Sequence, residues 1–199
     1  MTSRARVFML ILLAILAAGA AYLHVLTRRV SRETPTYREE VARTRLSVAA
    51  LQSDGAPRQI AMLYFPSFDQ GLLVTEKRDV AWGETDPNRI RQVLLALIEG
   101  SHQGHSRGLP ASATVRAVFL TPDGTAYLDF AGEGMAELTP GISSECLAVY
   151  SVVNSLAANI PAVKRVKILV QGREVETLDG HADLSDFFVP DPSRIMPGS

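Results

Sequence analysis

The run VRAVFLTPDGTAYLDF, Val115 to Phe130, decides the fold class. Val115 to Leu120 and Thr125 to Phe130 are two extended apolar runs on either side of Thr121-Pro122-Asp123-Gly124. Proline fixes φ near the value required at the second turn position, and glycine accepts a left-handed conformation at the fourth. The four residues therefore fit a type I turn with a bulge, and the segment reads as an antiparallel hairpin. Alternation along a strand puts Ala126, Leu128 and Phe130 on one face, Tyr127 and Asp129 on the other.

Upstream of the hairpin, Asp86 suits an N-cap and Pro87 the first helical position, where no N–H is needed. Ile90, Val93, Leu94, Leu97 and Ile98 then recur at helical spacing until Gly100 stops the run. Ser101 to Ser112 reads as a polar, solvated loop. Before the helix, Ile60, Met62, Tyr64 and their neighbours make a short β-type run ended by Pro66. Leu72 to Trp82 makes a longer one that the charged Glu76-Lys77-Arg78-Asp79 interrupts.

Downstream, a second helix is predicted from about Pro140 to Asn159, with Thr139 as N-cap, Leu147, Val149, Tyr150, Val153 and Leu156 on a wide apolar face, and Pro161 as its stop. Val166 to Val170 is a strand, followed by a Gln171-Gly172 turn and a weaker extended piece around Val175 to Leu178. The order is β-β-α-β-β-α-β. Each helix is amphipathic, so each expects a sheet face below and solvent above. The fold class is α/β (α+β): a two-layer sandwich in which two helices cover a mainly antiparallel sheet.

At the N-terminus, Val7 to Thr27 carries no charge over 21 residues, and about 20 suffice to cross the hydrocarbon core as a helix. Residues 7–27 are read as a transmembrane signal anchor behind a short tail, 1–6. The rival is a cleaved signal peptide using Ala18-Gly19-Ala20. Its apolar core would be unusually long, since such cores run to about 7–15 residues. Residues 28–57 form a stalk ending in Ser53-Asp54-Gly55-Ala56-Pro57, residues 58–190 the domain, and 191–199 a loose tail.

The formal net charge of −1 hides a split: residues 28–57 carry +2, while residues 58–190 carry eleven Lys/Arg against sixteen Asp/Glu. An acidic body excludes a nucleic-acid footprint. Cys146 is the only cysteine, so there is neither a disulfide framework nor a lipid-accepting cysteine near the N-terminus.

Several pieces, in order and spacing, resemble the GerMN domain family: Leu63-Tyr64-Phe65, the helix end Ala96-Leu97-Ile98-Glu99-Gly100, Gly108-Leu109-Pro110, and Asp123 to Phe130. The likeness continues through Glu145-Cys146-Leu147-Ala148-Val149-Tyr150, Val163 to Gly172, and Gly180-His181-Ala182-Asp183-Leu184-Ser185. Ser101-His102 departs from the family, which tends to have a proline there. The resemblance implies a domain displayed outside the cytoplasmic membrane, with a role in envelope assembly, sporulation or germination, and no catalytic residues to carry over. Counting Arg28, Arg29, Arg32, Arg38, Arg43 and Arg45 against Arg4 and Arg6 would place the body in the cytoplasm instead. The expectation adopted is a single-pass protein of the cytoplasmic membrane with its domain outside.

The candidate chemistry is thin. His102 and His105 form an H-x-x-H pair that could share a zinc ion only if further ligands arrived, and a solvated loop is the preferred reading. His181, Asp183 and Ser185 could serve a membrane-tethered hydrolase, the alternative function, but no nucleophile-elbow motif surrounds the serine. A local turn is preferred. Cys146 reads as a packed thiol, and Lys164, Arg165 and Lys167 as a solvated basic face. No residue is assigned a catalytic, cofactor-binding or metal-binding role, and no cofactor is expected. The expected partners are the membrane, through the N-terminal helix, and envelope proteins or peptidoglycan, with self-association as a further expectation and nucleic acid excluded.

Overall fold

The computed structural model describes residues 57–132, 142–177 and 183–198. The anchor 7–27, the stalk up to residue 56, Thr139 and Pro140 at the predicted start of the second helix, Leu178 and His181 lie outside the described residues. Among those described, no helix is long and apolar enough to cross a membrane.

Strands β1 (Arg58–Ser67) and β2 (Leu72–Ala81) pair antiparallel without a break, from Arg58 opposite Ala81 to Ser67 opposite Leu72. The charged middle of β2 was expected to interrupt it and does not. Glu76 and Arg78 point the same way, towards each other and the interior, while Lys77 and Asp79 face water. Likewise β1 runs through Pro66, which opposes Leu73 near the strand end, a position that tolerates a missing donor. The core face of β1 is Ala61, Leu63 and Phe65, whereas Ile60 is exposed.

Helix α1 spans Asp86–Glu99. Its N-cap is Thr85 rather than Asp86. Asp86 is already helical, and its carboxylate accepts from Arg89 at 2.9 Å, an i,i+3 pair. Gly100 ends the helix at φ +92°, a conformation that favours glycine, and a Cβ there would push on the Arg107 guanidinium carbon at 2.8 Å.

The hairpin forms as its sequence dictates. Strands β3 (Val115–Leu120) and β4 (Thr125–Phe130) flank Gly124 at φ +87°, with Gly124 N–H donating to the Thr121 carbonyl at 2.9 Å. Ala126, Leu128 and Phe130 are buried together. Helix α2 (Ile142–Asn159) then carries the chain over to β5 (Arg165–Val170), which lies parallel to β4. A parallel neighbour needs such a crossover, and α2 supplies it. The segment after the Gln171-Gly172 turn makes one bridge, Val170 to Arg173, and no strand among its described residues.

One mainly antiparallel sheet was expected. The structure has two, β1-β2 and the mixed β3-β4-β5. The reason lies at the free edge of β1, where α2 presents Ser151, Ser155 and Asn159, spaced four apart and hence on one face. Ser155 Oγ accepts from Tyr64 N–H at 2.9 Å, Ser151 Oγ donates to the Tyr64 carbonyl at 2.5 Å, and the Asn159 amide bonds both backbone groups of Met62 at 2.7 and 2.8 Å. A helix thus does for this edge what a strand would have done. Both sheets and both helices still share one core, in which Leu63, Phe65, Leu94, Leu97, Leu128, Phe130, Val153 and Leu156 meet.

The segment 191–199, expected as a loose tail, is fastened as far as it is described. Ile195 bridges in parallel to Leu73, Met196 N–H donates to the Leu73 carbonyl at 2.8 Å, and Asn154 bonds the backbone of Asp191 at 2.9 and 3.0 Å. Ile195 covers a second small cluster of Tyr64, Leu73 and Leu147, and the Arg194 guanidinium lies 4.2 Å from the Tyr150 ring centre.

Candidate functional site

Among the described residues the densest group of charge and hydrogen bonding lies where β2 passes the C-terminal end of α1. Glu76 is 2% exposed and Arg78 7%. The two form an ion pair, and Arg78 also donates to the Ala96 carbonyl at 3.0 Å and the Gly100 carbonyl at 2.7 Å. Arg107 donates to the Ile98 carbonyl at 2.6 Å. The last turn of α1 contains no basic residue of its own, so arginines from β2 and the following loop supply the positive charge that a helix C-terminus favours.

Glu76 in turn organises the loop. Its carboxylate accepts from Ser101 Oγ at 2.6 Å and from the backbone N–H of His102 and Gln103 at 3.3 and 3.4 Å. Burial pushes this carboxyl up, but the hydrogen bonds from Ser101, Arg78 and His102 together with the Arg78 charge outweigh it and hold the group below its ordinary range. The loop is therefore not simply solvated. Gly108, Leu109 and Pro110 are buried, and Gly108 comes so close to α2 that a Cβ would lie 2.9 Å from Ser151 Oγ. Sequence reading missed this centre, although β2 alternation puts Glu76 and Arg78 in phase with buried Val80.

The other candidates separate. His102 is exposed, with Nε2 3.2 Å from Glu99 Oε1, whereas His105 turns its Nε2 inward, where it has no hydrogen-bond partner. No group of three or more His, Cys, Asp and Glu side chains converges among the described residues. Ser185 donates to Asp183 through both N–H, at 2.9 Å, and Oγ, which makes a local turn and holds the Asp183 carboxyl below its ordinary value. Cys146 is a half-buried free thiol.

The basic cluster around β5 is solvated only in part: Lys164 is exposed, its Nζ donating to the Pro161 carbonyl at 2.8 Å, whereas Lys167 and Arg165 are tied to the chain. Lys167 is buried and donates to the carbonyls of Leu184, at 3.4 Å, and Ser185, with Glu174 Oε2 at 3.4 Å. Arg165 donates to Asp123 at 2.6 Å and to Thr125 Oγ1 at 2.7 Å, with the Phe187 ring centre 4.6 Å from its guanidinium. Hydrogen bonds from Thr121, Thr125 and Arg165 hold the Asp123 carboxyl well below the usual carboxylate range. These charges fix the hairpin turn and the 183–189 segment to β5. Beside the partly exposed Arg165, the outer face of β3-β4-β5 and the 183–189 segment leave apolar side chains in water. Phe119 is 58% exposed, Phe187 43% and Val189 58%, and Tyr127 joins the first two, opposite Phe119 in register and edge-on to Phe187 at 6.4 Å.

The tandem GerMN domains of the sporulation protein GerM from Bacillus subtilis share this fold with a TM-score of 0.52 and 22% identity, over 67% of this chain and 46% of that one. This chain thus spans about half the length of the tandem. The first GerMN domain of GerM from the same organism aligns at a TM-score of 0.47 and 20% identity, over 71% of this chain and 99% of that one. No curated protein matches this chain. The family model Germane, described as sporulation and spore germination, matches residues 62–176, more than half of the 199. The chain belongs to the Germane family of sporulation and spore germination domains.

Proposed function

We propose that this chain is a non-catalytic binding and assembly module of the cell envelope, anchored by residues 7–27 in the cytoplasmic membrane with its domain on the outer side. Its partners are envelope proteins or peptidoglycan. The observation that carries the reading is the division of labour among side chains. Glu76, Arg78, Arg165 and Lys167, which could have served chemistry, are engaged in fastening the chain to itself, while Phe119, Phe187 and Val189 stay in water. Apolar side chains grouped at a surface mark an interaction face more often than a reaction centre. Family membership supports a sporulation or germination context. Among the described residues, the Ser185-Asp183 pair is a turn, and nothing supports a hydrolase.

Two measurements test this. A reporter active only outside the cytoplasm, fused after Ser199, is expected to be active; a silent one overturns the location. In-cell cross-linking of the full chain is expected to give an adduct that Phe119→Ser with Phe187→Ser removes without changing the chain's abundance. An adduct indifferent to both substitutions overturns the assignment of the face.

A further inference from the structure

A groove of about 510 Å³ lies where the end of β2, the first turn of α1 and the residues after α2 come together, lined by Gln59, Trp82, Asp86, Arg89, Asn159 and Ile160. That volume falls in the roughly 300–1,000 Å³ range of small-molecule sites. Trp82 is the only tryptophan of the chain and is half-buried.

The charge of the lining is balanced. Arg89 Nη1 donates to Asp86 Oδ1 at 2.9 Å and Nε to the Gly83 carbonyl at 2.9 Å, with the guanidinium carbon 6.0 Å from the Trp82 ring centre. A matched pair offers no net field to phosphate and no set of carboxylates to a metal ion. Hydrogen-bonding capacity is nonetheless left over. Among the described residues neither the indole N–H nor the Gln59 amide bonds to protein, and Arg89 Nη2 and Asp86 Oδ2 are unengaged. Asn159 differs, since its amide is committed to the backbone of β1. The free set therefore mixes donors and acceptors around an aromatic wall, without net charge.

That chemistry suits a neutral ligand with closely spaced hydroxyls, an apolar C–H face and an amide. We infer that the groove binds a pyranose of the N-acetylhexosamine class, as found in envelope glycans. The part of the indole left open by the core and by the Arg89 guanidinium over its ring gives a sugar an apolar edge and a donor, the Asp86-Arg89 pair can bridge vicinal hydroxyls, and Gln59 can pair with the acetamido group. The choice of an amino sugar rests on the envelope reading above; the preference for a neutral polyol rests on the groove alone.

The single tryptophan makes the test direct. The full chain, held in a polyoxyethylene detergent that carries no sugar, is titrated with tri-N-acetylchitotriose while Trp82 emission is followed. The expected result is a saturable change in intensity or wavelength with half-saturation below about 5 mM, the range of weak single-site binding. Gln59→Ala and Asp86→Asn, both at solvent-accessible positions, are expected to raise the half-saturation point at least fivefold, the first with an unchanged melting curve and the second with a slightly lower one, since it weakens the Asp86-Arg89 pair. A flat titration overturns the site, and binding untouched by both variants overturns its location. An equal response to cellotriose, which has no acetamido group, overturns the amino-sugar assignment. None of these results depends on membrane orientation. A silent external reporter with a positive titration would sink the envelope reading alone, and a flat titration with an active reporter the groove alone.

Discussion

Glu76 and Arg78 stand two positions apart on β2, so both fall on its inner face, where neither could remain without the other. Removing one partner of a buried pair leaves an uncompensated charge, which typically costs about 3–5 kcal/mol. Glu76→Gln is expected to destabilise by an amount in that range, read as a lower denaturant midpoint by circular dichroism. Adding Arg78→Met should recover part of the loss by removing the orphaned guanidinium. Acid should act through the same group. The Glu76 carboxyl titrates below its ordinary value of 4.5 when folded, so its contribution is complete above that pH and is lost as pH falls through the folded value. Unfolding midpoints of wild type and Glu76→Gln should therefore approach each other as pH falls below 4.5. Parallel curves would show that the carboxylate is not the linked group. At Lys167 the charge is buried against carbonyl oxygens. Lys167→Met should free residues 183–189, detectable as faster proteolytic cleavage there with the core still folded.

At the scale of elements, α2 is the member whose role periodicity conceals. Its apolar face is plain in the sequence, but nothing there marks Ser151, Ser155 and Asn159 as partners of the β1 edge. Ser155→Ala leaves the Tyr64 N–H buried without an acceptor, a loss of about 1–3 kcal/mol, to be measured by denaturant unfolding. The hairpin turn is governed by local rules. Gly124 combines φ +87° with a Cβ position 2.7 Å from the Ala162 carbonyl oxygen and 2.5 Å from Lys164 Cγ. Gly124→Ala should therefore cost more than the roughly 1 kcal/mol of an ordinary glycine replacement, and a neutral melting temperature would contradict the turn geometry.

For the whole molecule, the boundary of the folding unit extends past Pro190. Residues 191–196 close the second apolar cluster, so a chain cut after Pro190 should lose about 2 kcal/mol, the scale of burying one isoleucine. It should also bind a hydrophobic dye that the uncut chain does not, because Tyr64, Leu73 and Leu147 lose their cover. Equal melting temperatures for the two chains would show that the strap does not contribute. The sequence by itself determined what local physics controls: the hairpin about Gly124, α1 ending at Gly100, the strand Val166 to Val170 and the apolar faces of both helices. It also carried the family resemblance, because that depends on the order of such pieces. Tertiary structure alone decided which edges and charges meet: two sheets instead of one, β5 parallel to β4, Glu76 and Arg78 inside rather than breaking a strand, and a C-terminal strap rather than a tail. The physical reason is that alternation and spacing say which side of an element is apolar, whereas the partner of a buried charge or a bare strand edge lies tens of residues away, as Ser101 does from Glu76 and Asn159 from Met62.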